Sequence, residues 1–190
     1  LGLSRFLVEN GADVDKATDG GFTPLFISCH KGHLELARLL IDKGADAEKA
    51  KNDGFTPLFV CCQEGHLETV RLLLERGADV DKADNEGTTP LYMSCQEGHV
   101  EIARLLLERG ADVNKARTND GLTPLHISCQ EGHVDAVHLL LEKGAEVDKA
   151  EDDGATPLYI SCRKGDVEIA RLLLKEGADV DKATNGGTTS

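Results

Sequence analysis

The sequence predicts an all-α solenoid of helix-turn-helix units joined by projecting β-hairpin loops. Two observations predict it. Thr-Pro-Leu begins at Thr23, Thr56, Thr89, Thr123 and Thr156, at intervals of 33, 33, 34 and 33 residues. Later in each unit comes a Leu-rich segment closed by Gly-Ala, as in Leu72 to Ala78 and Leu105 to Ala111. One unit of that length cannot bury its own apolar face and must stack on copies of itself. Function in such a chain is expected on the long surface that the stack presents.

The stretch from Thr88 to Asp120 shows how each element arises. Thr89 is a helix N-cap, and Pro90 follows at the first helical position, where its missing N–H is not needed. Leu91, Met93, Ser94 and Cys95 form a short first helix, and Gly98 closes it. His99 sits in the turn. Ile102, Ala103, Leu105, Leu106 and Leu107 then recur at the spacing of a second helix with a wide apolar face. Glu101 and Arg104 lie three apart on its wet side, and Gly110 ends it. Ala111 to Ala116 is read as extended and Asn119-Asp120-Gly121 as a turn, which gives the hairpin.

The pattern resembles the ankyrin repeat across essentially the whole chain. Thr123-Pro124-Leu125-His126 matches that family's opening motif, and Gly32-His33, Gly65-His66, Gly98-His99 and Gly132-His133 match its turn. Leu72 to Val80 and Leu105 to Val113 match its second-helix run. There are departures. Phe26, Phe59, Tyr92 and Tyr159 replace the motif's His, so only His126 is expected to tie a helix start to a neighbouring loop. Gly165-Asp166 replaces the last Gly-His, and the fourth hairpin carries one extra residue near Arg117-Thr118. The resemblance implies a single ankyrin-repeat domain over 1–190. It comprises a partial unit over 1–22, full units over 23–55, 56–88, 89–122, 123–155 and 156–188, and the start of another at 189–190. Leu1 to Asn10 aligns with a second helix, and Gly187 to Ser190 opens a further unit, so a longer parent protein is expected. Leu3, Phe6, Leu7 and the Leu172 to Leu174 region are expected to expose apolar surface at the two ends.

Composition narrows the function. The net charge is −13 and no Lys/Arg block interrupts it, which disfavours nucleic acid and anionic membranes and favours basic or neutral protein partners. No apolar run approaches the roughly 18 residues of a membrane-spanning helix. Cys29, Cys62, Cys95, Cys129 and Cys162 each fall five residues after the Pro of their unit, on the packed side of the first helix. Equivalent positions in stacked units lie about 10 Å apart, too far for a disulfide. All six Cys are therefore read as small buried hydrophobes of a reducing, cytoplasmic protein.

The same spacing argues against metal and cofactor chemistry. His33, His66, His99 and His133 form a ladder with one imidazole per step, too far apart to share a metal, so they are read as satisfying turn carbonyls. Asp13, Asp15, Asp79, Asp81, Asp179 and Asp181, with Lys16, Lys49, Lys82, Lys115, Lys149 and Lys182, are read as a solvated, salt-bridged edge at the hairpin roots. No nucleophile-elbow, phosphate-loop or Cys-x-x-Cys motif occurs. The chain is expected to be no enzyme and to need neither cofactor nor metal.

The positions that vary between near-identical units are the candidates for binding. Ahead of each Thr stand Phe22, Phe55, Thr88, Leu122 and Ala155, which the resemblance places on the concave groove. Phe26, Phe59, Tyr92, His126 and Tyr159 follow one helical turn later, partly beneath. The first helices end in His30-Lys31, Gln63-Glu64, Gln96-Glu97, Gln130-Glu131 and Arg163-Lys164, giving an acidic middle and basic ends. Phe22, Phe55, Glu64, Glu97 and Glu131 are the expected contact residues, with Tyr92 at the groove floor. The expected function is non-catalytic protein–protein recognition by a monomer, through groove and hairpins, of a partner that is basic or mixed apolar and basic. The alternative is a regulatory or targeting arm of a larger enzyme or channel.

Overall fold

In the computed structural model, which describes residues 11–182, each Thr-Pro pair starts a helix. The expectations for Leu1 to Asn10 and for Gly187 to Ser190 lie outside those residues. Among the described residues ten α-helices form five pairs: α1 (Pro24–His30) with α2 (Leu34–Asp42), α3 (Pro57–Glu64) with α4 (Leu67–Glu75), α5 (Pro90–Gln96) with α6 (Val100–Glu108), α7 (Pro124–Glu131) with α8 (Val134–Glu142), and α9 (Pro157–Lys164) with α10 (Val167–Lys175). At each first helix the Thr backbone is extended, and its hydroxyl oxygen accepts the N–H three residues on, at 3.1 to 3.5 Å. That bond satisfies one of the orphan donors at a helix start.

The Gly-His turn explains how one pair registers on the next. Gly98 has φ 71°, and a Cβ there would come within 2.8 Å of the His133 ring. Glycine is thus required both by backbone conformation and by the close approach of the following unit. The ring Nε2–H of His133 donates to the Gln96 carbonyl at 3.0 Å. His99 does the same to Gln63 at 3.1 Å and His66 to His30 at 3.3 Å. The recurring imidazole satisfies a carbonyl left over at the end of the preceding unit's first helix. Where Asp166 replaces His, its carboxylate instead caps α10 by accepting the Ile169 N–H at 3.0 Å.

The projecting loops are tight turns, and no strand occurs among the described residues. In the second loop the Lys51 N–H donates to the Phe55 carbonyl and the Gly54 N–H to the Lys51 carbonyl, both at 2.9 Å. Pairing stops there, because the chain just before it turns again, with the Lys49 N–H donating to Asp46. Adjacent finger tips are joined instead: Asn85 N–H to Asp53 O, Thr118 N–H to Glu86 O and Asp152 N–H to Asp120 O, at 2.9 to 3.1 Å. The fourth finger holds the extra residue, and its closing bond runs from Arg117 N–H to Leu122 O.

The finger roots carry one ion pair of the expected salt-bridged edge among the described residues, Lys149 with Glu146 at 3.6 Å, and are otherwise held differently. Their carboxylates accept backbone N–H groups of the next unit: Asp15 from Asp46, Glu48 from Asp79, Asp81 from Asp112 and Asp148 from Asp179. Lys49 and Lys182 donate to backbone carbonyls of Asp15 and Asp148. A carboxylate here does more by filling a backbone donor than by pairing with a solvated ammonium.

First helices pack directly on first helices along the stack, while second helices touch their neighbours more sparsely. The first-helix row is therefore the inside of the curve. Between the rows lies one continuous core of Leu, Ile, Val, Ala and Cys, with Leu58, Leu73, Leu91, Leu106, Leu125 and Leu140 fully buried. Cys29, Cys61, Cys62, Cys95 and Cys129 are buried as expected. Cys162 is not: α9 has no following first helix beside it among the described residues, and the thiol is exposed. Val167 and Leu174 are exposed at the same end.

Candidate protein-binding face

The inner row presents little of the apolar set that the sequence placed there. Phe22 is 37% exposed and Phe55 is half-buried, but Thr88, Leu122 and Ala155 are buried. Leu122 and Ala155 belong to the continuous core. The expected groove row is open only at its N-terminal end.

The aromatic side chains there form two pairs with Lys51 between them. The Phe22 ring meets Phe26 edge-on at 5.6 Å, and Phe55 stacks on Phe59 at 4.4 Å. Phe26 and Phe59 are core residues. The Lys51 ammonium sits 5.1 Å from the Phe22 centroid and 4.8 Å from that of Phe55, and 2.5 Å from a carboxylate oxygen of Asp53.

Tyr92 corrects the sequence reading. It is 2% exposed and cannot serve as a contact at the groove floor. The Arg117 guanidinium lies over its ring, 5.2 Å from the centroid, and is itself paired with Asp120. Burial pushes the Tyr92 phenol up to about 12, against the pull of Arg117. The Asp120 carboxyl lies below its usual range: burial opposes this, but Arg117 and the Leu122 N–H outweigh it. Arg117 is the groove residue that the sequence reading missed. Its signal was the inserted residue, which lengthens the fourth finger.

Glu64, Glu97 and Glu131 are exposed, one per unit, where α3, α5 and α7 end. Each is held by a neighbour: Glu64 by His30 Nδ1 at 3.4 Å, Glu97 by the Gln96 amide at 3.1 Å and Glu131 by the Gln130 amide at 3.2 Å. Further along the fingers, burial and the nearby carboxylates of Asp153 and Asp120 raise the Glu151 carboxyl. The inner face thus carries negative potential that a cation would relieve.

His126 and the buried thiols serve the structure. His126 accepts the Thr123 N–H on Nδ1 at 3.1 Å and donates from Nε2 to the Ala155 carbonyl at 3.3 Å, tying a helix start to the next loop. Burial pushes its imidazole down to about 4. Burial pushes the Cys62 and Cys95 thiols up to about 12, which keeps them protonated and poorly nucleophilic. Among the described residues no three His, Cys, Asp or Glu gather to hold a metal ion, and no buried side-chain polar atom lacks a partner. No helix among them is long and apolar enough to cross a membrane.

The family model described as ankyrin repeats, in three copies, matches residues 2–84, 49–117, 79–151 and 114–184, overlapping windows that cover nearly the whole chain. A search of the curated proteins returns no match.

Proposed function

The chain belongs to the ankyrin-repeat family, and on that premise we propose that it is a non-catalytic scaffold whose inner face binds a partner carrying both apolar and Lys/Arg side chains. Ankyrin repeats generally mediate protein–protein interaction. One observation supports the finer reading: Phe22 and Phe55 lie at one end of the same inner row that carries the exposed Glu64, Glu97 and Glu131. Aromatic anchors fix a partner through buried contact, and a row of charges steers its approach.

An array of short peptides, graded in Lys/Arg and in aliphatic content, tests it. Peptides with both are captured, and acidic ones are not. Phe22→Ala with Phe55→Ala speeds dissociation, whereas Glu64→Gln, Glu97→Gln and Glu131→Gln slow association and flatten its salt dependence. Folding survives all five changes. Capture that is unchanged in the combined variant would move the site to the finger tips around Asn52-Asp53, Asn85-Glu86 and Asn119-Asp120.

A further inference from the structure

The Lys51 side chain is doing something that the repeat does not require of it. The corresponding positions of the other fingers hold Thr18, Asp84, Arg117 and Glu151, so stacking asks for no cation there. The finger closes through the Lys51 backbone, by its N–H to Phe55 and its carbonyl from Gly54. Its side chain can therefore leave without opening the turn. The rings beneath it can stay, because Phe55 rests on buried Phe59 and Phe22 on buried Phe26.

What the ammonium occupies has three walls: the Phe22 ring at 5.1 Å, the Phe55 ring at 4.8 Å and the Asp53 carboxylate at 2.5 Å. Aromatic faces and a carboxylate around one cation form the arrangement by which proteins recognise alkylammonium groups. The place is reached from solvent, since Phe22 is 37% exposed and the Lys51 side chain 19%. We propose that Phe22, Phe55 and Asp53 form a binding site for a lysine ammonium of the partner, with Lys51 as an intramolecular stand-in that the partner's side chain displaces. This deepens the protein-binding reading and rests on it. The −13 charge of the chain draws a cationic segment toward the face. Arg117 over Tyr92 is not a second such site, because that ring is buried and the guanidinium is its cover.

The test uses the whole chain and a small probe, Nα-acetyl-lysine methylamide, with the norleucine analogue as its neutral isostere. Phe ring resonances are followed by NMR in the wild type, in Lys51→Ala, and in Lys51→Ala combined with Asp53→Asn. Removing the tethered competitor raises probe affinity about tenfold in Lys51→Ala. Adding Asp53→Asn, a change at a half-exposed position outside the core that keeps an acceptor for the Phe55 N–H, reverses that gain, and norleucine shifts no ring in any variant. Equal affinity in wild type and Lys51→Ala, or equal ring shifts from norleucine, overturns the cage. Such a result leaves the groove reading to the peptide array, where the Glu64, Glu97 and Glu131 changes report independently of Lys51.

Discussion

In the second finger Lys51 lies across the rings of Phe22 and Phe55; in the fourth, Arg117 lies across Tyr92. Each cation is paired with a carboxylate of its own finger, Asp53 or Asp120. Lys51 reaches back to Phe22 of the preceding unit as well as to Phe55 of its own, whereas Arg117 covers a ring of its own unit. The chemistry is shared, but the rings come from different rows. Phe22 and Phe55 precede the capping Thr and stand outside the helix, so they keep some contact with solvent. Tyr92 is three residues after its Thr, inside the first turn of α5, and belongs to the core. A cation over an outer ring is a movable occupant, whereas a cation over an inner ring is a lid.

The largest expected effect tests that division. Tyr92→Ala empties a core position and is expected to cost roughly 3–5 kcal/mol in denaturant titration. Phe22→Ala removes a partly solvated ring and is expected to cost about 1 kcal/mol or less. Equal losses would mean that the two rows are energetically alike and that the outer rings are core too.

The next effect is a pH dependence that His126 gives to the fourth unit. Phe26 and Phe59 stand where that unit has His126, whose imidazole is held at about 4, chiefly by burial. The unfolded chain takes up this proton near 6.5, and the folded chain resists it. A depressed folded value gives stability that is complete above 6.5 and is lost as pH falls toward 4, roughly 3 kcal/mol in all. His126→Phe, which copies the first two units, removes this share of the acid sensitivity and leaves that of the carboxylates. Urea titrations at pH 7.5 and 4.5 on both proteins measure the difference. Parallel losses would show that His126 is free to charge in the fold.

Much of this was legible in the sequence, because the repeat states each local rule four or five times. Thr89 before Pro90, Gly98 before His99 and the Leu run to Leu107 specify caps, turn and core without tertiary help. The loops were read one step too far: alternation at Ala111 to Ala116 suggests strands, but each root turns back on itself before a ladder can form. Exposure was legible where it depends on a helix end, as at Glu64, Glu97 and Glu131. It was not legible at Tyr92, over whose ring lies a side chain 25 residues later, or at Thr88 and Leu122, which the stacked fold buries. Nor did spacing reveal Lys51, since a cation between two rings exists only once adjacent units are stacked.

The smallest effect contrasts the first step of the stack with the later ones. Ser28, Ser94 and Ser128 each donate a hydroxyl hydrogen bond at 2.8 Å to the carbonyl of the Pro four residues earlier, while the second unit has Cys61 at this position. Ser94 and Ser128 also reach the thiols of Cys62 and Cys95 in the preceding units, and Cys61 meets Cys29 in the same way. The first step therefore pairs two thiols where the next two steps pair a thiol with a hydroxyl. Burial, with Cys29 beside it, raises the Cys61 thiol, so it remains a protonated and weak donor. Cys61→Ser is expected to restore the bond to Pro57 and to gain up to about 1 kcal/mol, the net size of one such hydrogen bond. Ser94→Cys is expected to lose a similar amount. Thermal unfolding of the two variants side by side measures both. If Cys61→Ser costs as much as Ser94→Cys, the thiol pair is packed for sulfur at that step, and the first two units were built to a different internal fit from the rest.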